Sequence, residues 1–298
     1  MTGTDAARLD AAYRYCRRLN ARHGKTFFLA TALLPATKRR YVHALYGFAR
    51  YADDIVDHPR EGHGRTASAR LAELRTDVEA SFAGADGHHP VVLAMADTVR
   101  RFDVDHRYLT DFFDSMQMDL TVTSYATFED LARYMWGSAS VVGLQLLPIL
   151  GVPGERKIAE PYASDLGIAF QLTNFIRDIG EDFRRGRIYL PQDSLSGHGV
   201  SLSMFAQRKA TPALKSLLAY EIDRARTYYR RAEPGIELLS TGSRDCIRTA
   251  LVLYGEILTE IERIDYEVLD HRASVSLVKR ARVASLGYLR SFRAQRSG

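Results

Sequence analysis

The sequence has little cysteine. Cys16 and Cys246 are the only two in 298 residues, too few for a disulfide framework, so both read as buried thiols in a reducing compartment. It has no long apolar run either. The longest, Ala139 to Val152, contains Gly143, Gln145 and Pro148 and falls short of the roughly 18 apolar residues that a membrane span needs, so it reads as a buried core helix. Met1–Asp10 carries acids and no apolar stretch, so no signal peptide is expected and a cytoplasmic location is. No alternating strand pattern extends beyond a few residues. No strand leads into a G-x-G-x-x-G turn, because Gly62/Gly64 and Gly197/Gly199 fall in polar loops, and a dinucleotide-binding half is not indicated. With no zinc knuckle, recognition-helix pattern or stacking platform, no nucleic-acid partner is expected.

Acids are missing from one place. The net charge is +5, but His271 to Gly298 holds seven basic residues (Arg272, Lys279, Arg280, Arg282, Arg290, Arg293, Arg296) and no Asp or Glu. Val278, Ala281, Val283, Leu286 and Leu289 run through it at roughly helical spacing. Two readings stand: a solvated last helix packed on the core by its apolar side, or a basic surface in peripheral contact with an anionic membrane.

What the sequence has in abundance is a 3.6-residue apolar period. It predicts helices over Ala6–Arg22, Ala36–Asp57, Ser68–Phe82, Val91–Arg101, His106–Met118, Phe128–Leu150, Lys157–Phe183, Thr211–Arg231, Ser243–Leu269 and Val275–Arg293. Punctuation falls at His58–Gly64, Gly84–Pro90, Gly151–Gly154 and Gly186–Gly199. No linker is long enough to divide the chain, so residues 1–298 are expected to form a single all-α domain.

Two of these helices carry matching acids. In Tyr46-Gly-Phe-Ala-Arg50-Tyr-Ala-Asp53-Asp54-Ile-Val-Asp57, Asp53 and Asp57 stand one turn apart on one face, with Arg50 and Tyr46 continuing it. Three carboxylates within one turn repel unless a cation neutralises them. Mg²⁺ suits them, because it takes hard oxygen ligands and couples one or two carboxylates to phosphates. In Gln171-Leu-Thr-Asn174-Phe-Ile-Arg177-Asp178-Ile-Gly-Glu181-Asp182, the residues Gln171, Asn174, Asp178 and Asp182 share a face. Arg184, Arg185 and Arg187 follow at once, and a cation-rich loop beside such a helix suits a polyanion held by metal and arginine forks together. Both clusters interrupt apolar helices, where solvated acids are not expected, and the two pairs are able to hold a diphosphate between them. His23-Gly24-Lys25-Thr26-Phe27-Phe28 adds an imidazole, an ammonium and a hydroxyl in what reads as a loop. Tyr134 lies among the small residues Gly137, Ser138 and Ser140, where an aromatic is placed to face a cation or simply to fill the core.

Taken together, His23–Phe28, Ala44–Asp57, Tyr134–Gly143 and Gln171–Pro191 resemble the squalene and phytoene synthase family of head-to-head prenyl transferases. The combination of Y-x-F-x-R-x-x-D-D-x-x-D, Q-x-x-N-x-x-R-D-x-x-E-D and G-R-x-Y-L-P carries the resemblance, which runs from about Ala11 to Arg290. Gly186–Pro191 and Trp136–Gly143 are worded most like the bacterial phytoene synthases. The resemblance implies an isoprenoid-synthase-type helical bundle around a central apolar cavity. It implies Mg²⁺, with Mn²⁺ as the alternative, on Asp53, Asp54 and Asp57 for one substrate diphosphate and on Asn174, Asp178 and Asp182 for the other. Gln171 would support the second site, while His23, Lys25, Thr26, Phe27, Arg50, Arg177 and Arg187 would hold substrate. Tyr46, Tyr134 and Tyr189 would stand near the reacting carbons. The implied reaction joins two geranylgeranyl diphosphates into phytoene through a cyclopropyl diphosphate. The rivals are a squalene or dehydrosqualene synthase acting on farnesyl diphosphate, a terpene cyclase, and a non-catalytic membrane-surface module. The chain departs from the family at Gly24, where relatives often carry serine, and at Trp136, which replaces a more usual tyrosine or histidine and is expected to alter the pocket.

Overall fold

The computed structural model describes residues 3–58, 64–85, 87–207 and 209–296, with the backbone alone for residues 3, 4, 289 and 291–296. Gly62 and the side chains of Leu289, Arg293 and Arg296 lie outside the described residues. In chain order the helices are α1 (Gly3–His23), α2 (Lys25–Thr31), α3 (Ala36–Asp57), α4 (Ala67–Phe82), α5 (Pro90–Phe102), α6 (Arg107–Met118) and α7 (Phe128–Met135). They continue as α8 (Val141–Leu150), α9 (Arg156–Arg184), α10 (Gln192–Gly197), α11 (Leu202–Phe205), α12 (Pro212–Ala232), α13 (Thr241–Arg263) and α14 (Leu277–Arg296). Among the described residues no strand forms, so the all-α expectation holds.

Local chemistry sets the boundaries. Thr66 Oγ1 accepts from Ala69 N at the start of α4, and Thr211 Oγ1 does the same for Leu214 N ahead of Pro212, the first residue of α12. Thr127 and Asp130 close a capping box on α7. Asp103 (φ 50°) ends α5 in the left-handed conformation.

Three expectations are corrected. His23–Phe28 is not a loop: Gly24 alone separates α1 from α2, and Lys25 to Phe28 form the first turn of the second helix. Phe128–Leu150 is not one regular helix, because a π-helical turn spans Trp136–Ser140 between α7 and α8. Near that turn the Tyr134 carbonyl accepts a buried hydrogen bond from Ser115 Oγ at 2.9 Å. The helix expected to run to Leu269 stops at Arg263, since Asp265 (φ 54°) and Tyr266 (φ 61°) turn left-handed.

Two apolar clusters fill the interior. One is built on Phe48, Met95, Phe112 and Leu144, the other on Leu172, Ile176, Leu218 and Ile257. Leu166 and Phe170 of α9 and Leu251 of α13 pack against both. Helices α8 and α9 meet with almost no side-chain layer between them. A Cβ added at Gly143 would stand 2.4 Å from the Ala163 carbonyl oxygen, and one added at Gly167 would stand 2.5 Å from that of Ala139. Only glycine permits this approach. Finally, Ile188 N donates to Thr123 O at 2.8 Å and Gln192 N to Tyr125 O at 2.9 Å, which tie the segment after α9 to the segment after α6.

Candidate active site

Helices α3 and α9 present their acid-bearing faces to one polar cleft of about 750 Å³, lined by Asp53, Asp57, Asp178 and Asp182. A second, apolar cavity of about 250 Å³ lies beside it, walled by Phe27, Val142, Gly143, Leu147, Leu166 and Ile236 among others. Tyr46, Ala49, Asp53, Gln171, Asn174 and Tyr254 line both spaces, so the cleft leads into the cavity across a boundary of named side chains. Small residues at Ser138, Ala139, Gly143, Ala163 and Gly167 leave the cavity open where larger ones would fill it.

The carboxylates divide into two kinds. Asp57 takes Arg187 Nη1 at 2.8 Å and Arg185 Nη1 at 3.1 Å. Asp178 is gripped by both ends of the Arg177 guanidinium (2.7 and 2.5 Å) and again by Arg272 (2.9 and 3.0 Å). Asp53 and Asp182, by contrast, have no side-chain hydrogen bond or ion pair among the described residues. Burial, and then the charge of Asp57, pushes the Asp53 carboxyl up to about 7. Burial and Asp178 push Asp182 up to about 8, and Asp57 across the cleft adds to it. These are hard oxygens held out of water beside like charge, and they fit a divalent cation. Among the described residues no three metal-type side chains converge closely enough to hold an ion alone.

The remaining residues read from the sequence fall as follows. Asp54 is turned from the cleft and ion-paired with Arg50, with the His58 ring 3.8 Å away. His23, Lys25, Thr26, Arg50, Arg177, Arg187, Tyr134 and Tyr189 all line the cleft. Burial and the nearby Arg50 lower the His23 pKa, which keeps its imidazole readily neutral. Phe27 faces the apolar cavity and stacks on Tyr46 at 5.7 Å. Asn174 and Gln171 sit at the boundary, with Asn174 Nδ2 donating to Gln171 Oε1 at 3.4 Å.

Both departures read from the sequence find an explanation here, and one expectation fails. A side chain at Gly24 would require the Asn20 amide and the Tyr46 phenol to shift, since its Cβ would lie 2.6 Å from Asn20 Oδ1 and 2.7 Å from the Tyr46 hydroxyl. Trp136 does not shape the cavity: it points outward, 44% exposed, and its Nε1 donates to Asp111 Oδ2 at 2.8 Å.

Four site residues escaped the sequence reading. Arg272, counted there with the basic C-terminal stretch, belongs to Asp178, and Arg280 also lines the cleft. Tyr254 of α13 lies between cleft and cavity and stacks on Phe170 at 4.3 Å. Asp119 caps the C-terminal end of α6, where the helix dipole disfavours an acid by roughly 0.3–1 kcal/mol. That mismatch was the one signal available. Its carboxylate accepts from the Tyr134 and Tyr189 hydroxyls, at 2.6 and 3.0 Å.

Acids and arginines facing one another over a cleft that opens into an apolar cavity define a class of helical protein, one shaped to set a polyanionic head beside an apolar chain. The chain belongs to the squalene/phytoene synthase family, whose profile matches residues 20–279. It is 38% identical over 299 residues to a phytoene synthase of Arthrospira platensis, covering 97% of this chain and 96% of that one. It is 38% identical over 279 residues to a 15-cis-phytoene synthase of Synechococcus elongatus, covering 90% of each. A crystal structure of a dehydrosqualene synthase with a bound ligand superposes with a TM-score of 0.86 at 27% identity, covering 96% of this chain and 99% of that one.

Proposed function

We propose that this chain condenses two molecules of geranylgeranyl diphosphate head to head into phytoene through a cyclopropyl diphosphate, with residues 1–298 acting as one catalytic domain. The observation that carries the reading is the opposition of the α3 and α9 carboxylate faces across a cleft continuous with an apolar cavity. Asp53 and Asp57 would hold Mg²⁺ for one diphosphate, and Asn174, Asp178 and Asp182 for the other. When bound, the ion neutralises charge building on the departing diphosphate. Arg50, Arg177, Arg187 and Lys25 grip phosphate oxygens and keep the two leaving groups apart. The prenyl tails lie along the cavity, against Phe27 and Tyr46. There water is scarce, and an allylic cation survives long enough for the second double bond to attack it. The departing diphosphate is the base that takes the proton lost in closing the cyclopropane, and no side chain is required for that step.

The test is chromatography of hydrocarbons formed from geranylgeranyl or farnesyl diphosphate with Mg²⁺, with and without NADPH. Phytoene from the longer substrate without NADPH is the expected product. EDTA stops its formation, and Mg²⁺ in excess restores it. A thirty-carbon product from farnesyl diphosphate alone overturns the chain-length assignment, and turnover that survives EDTA overturns the metal assignment.

A peripheral membrane contact is part of this proposal, on narrower grounds than the count of C-terminal charges. Lys279 is paired with Glu256, Arg290 lies 3.5 Å from Asp245, and Arg280 donates to the Val275 carbonyl and lines the cleft, which leaves Arg282 as the exposed cation without an acid partner among the described side chains of α14. The outward residues are instead apolar: Leu277 is 76% and Val278 80% exposed, at the end of α14 nearest the cleft. No described helix is long and apolar enough to cross a membrane. Burying two such side chains in the acyl boundary contributes about 3 kcal/mol, against about 1 kcal/mol for one arginine near an anionic surface. Leu277→Asp with Val278→Asp is therefore expected to cut sedimentation with anionic vesicles more than tenfold, and Arg282→Gln only a few-fold. Failure of the unaltered protein to sediment with them at low salt removes the contact.

A further inference from the structure

Among the described residues, Asp119 is the one carboxylate of the cleft that neither acid-bearing helix supplies. Tyr134 donates to its Oδ2 at 2.6 Å and Tyr189 to its Oδ1 at 3.0 Å. Its backbone carbonyl accepts from Arg187 Nη2 at 3.1 Å, while Nη1 of the same guanidinium holds Asp57 Oδ1 at 2.8 Å. Arg187 thus stands between Asp119 and the first carboxylate cluster.

A phenol has one proton to give. Tyr134 and Tyr189 both give theirs to Asp119, so neither has a donor left for the cleft. What each turns toward the cleft is its ring and the lone pairs of an oxygen made more negative by a charge-assisted hydrogen bond. The rings are fixed by neighbouring aromatics. Tyr189 stacks on Phe175 at 4.2 Å, and Tyr125 lies 5.5 Å from Tyr134 and 6.2 Å from Tyr189. A phenol with a free proton would do the reverse: it would donate to a diphosphate oxygen and turn its positive end toward a cation.

We propose that Asp119 is a positioning residue, which by holding the protons of Tyr134 and Tyr189 presents two phenol oxygens, as acceptors only, to an allylic cation in the cleft. This rests on the reading of the cleft as a place where an allylic diphosphate ionises. No bond is made or broken at Asp119. Its work is to fix which way two dipoles point.

The test measures binding, so that it stands apart from the product assay. Two ligands are titrated calorimetrically in the presence of Mg²⁺: protonated geranylgeranyl dimethylamine with inorganic diphosphate, and geranylgeranyl thiodiphosphate, which carries no positive charge at the reacting carbon. Asp119→Asn brings an amide whose N–H groups oblige one phenol to accept and so to turn its own proton outward. The expected result is at least tenfold weaker binding of the ammonium, with thiodiphosphate affinity held within threefold. Tyr134→Phe with Tyr189→Phe, which keeps Asp119, loses ammonium affinity by a similar factor, and adding Asp119→Asn to that pair costs nothing more. If Asp119→Asn does not fold, the phenylalanine pair alone carries the comparison. An unchanged ammonium affinity, an equal loss for both ligands, or a further loss in the phenylalanine background overturns the proposal. The second of these marks a merely structural role, and the third a charge acting directly.

Discussion

Asp53→Asn lowers kcat by at least about a thousandfold and at the same time raises the melting temperature of the metal-free protein. The two effects have one cause. Asp53 is an acid without a cationic partner of its own, pushed up to about 7 by burial and by Asp57 one turn away. Removing its charge relieves a desolvation cost and a repulsion, together about 1–3 kcal/mol, and a few degrees of melting temperature for a chain this size. It also removes one of the carboxylates proposed to hold the metal. Asp182→Asn is expected to behave alike, because burial and Asp178 raise that carboxyl to about 8. Asp178→Ala separates the two effects. It loses activity as heavily, but it strips the largely buried Arg177 guanidinium of its bidentate partner, so stability falls, by up to about 3–5 kcal/mol. Thermal unfolding in EDTA, beside single-turnover rates in Mg²⁺, measures both. Near-normal turnover in Asp53→Asn or Asp178→Ala would sink the assignment of the metal ligands. A lower melting temperature for Asp53→Asn would show that its charge is compensated after all.

The parts of this protein that could be read in the sequence are those whose logic is local. The D-x-x-x-D spacings place Asp53 above Asp57 and Asp178 above Asp182 by helix geometry alone. The opposition of the two faces needed only the further assumption that apolar helices do not waste acids on their buried sides. Asp119 and Arg272 could not be read this way. Asp119 meets Tyr189 through the hydrogen bonds between the segments after α6 and α9, a pairing of residues more than sixty positions apart that no periodicity announces, and Tyr134 comes to it from α7. Arg272 was visible as charge, but a run of basic residues is read by its total, and its partner Asp178 is 94 positions away. Trp136 was misplaced for a different reason. Its place rested on the resemblance and not on helix phase: eight residues at about 100° each carry Trp136, the first residue of the π turn, away from the face of Leu131 and Met135, and the indole lies outside.

The same π turn is the subject of the last expectation, that Gly167→Leu destabilises the protein by more than about 3 kcal/mol and lowers the activity of whatever still folds. Gly167 of α9 lies against the turn so closely that a Cβ would stand 2.5 Å from the Ala139 carbonyl oxygen and 2.8 Å from its carbon. For Gly167→Ala two terms compete. Helix propensity returns about 1 kcal/mol, while forcing backbone away from backbone costs about 1–3 kcal/mol, so a modest net loss is expected. Leucine keeps the Cβ clash with the Ala139 backbone and adds three more carbons beside it, and overpacking wins outright. The functional loss follows from what α9 carries. Gln171, Asn174 and Asp178 lie one to three turns beyond Gly167 on the same helix, and Tyr134 enters the cleft from the other side of the seam. Prising the seam apart by an ångström moves the second carboxylate face relative to Tyr134, a displacement that by itself can cost about a hundredfold in rate. Gly197→Ala is the control: nothing lies within 4 Å of a Cβ there, and its effect should stay within about 0.5 kcal/mol. Melting curves and kcat at 15–20 °C (roughly the range of maximal stability for a mesophilic domain) distinguish the two variants. Gly167→Leu melting within a degree of Gly197→Ala would mean that the π turn and α9 are not held at backbone contact, and the cavity beside them would then owe its shape to something else.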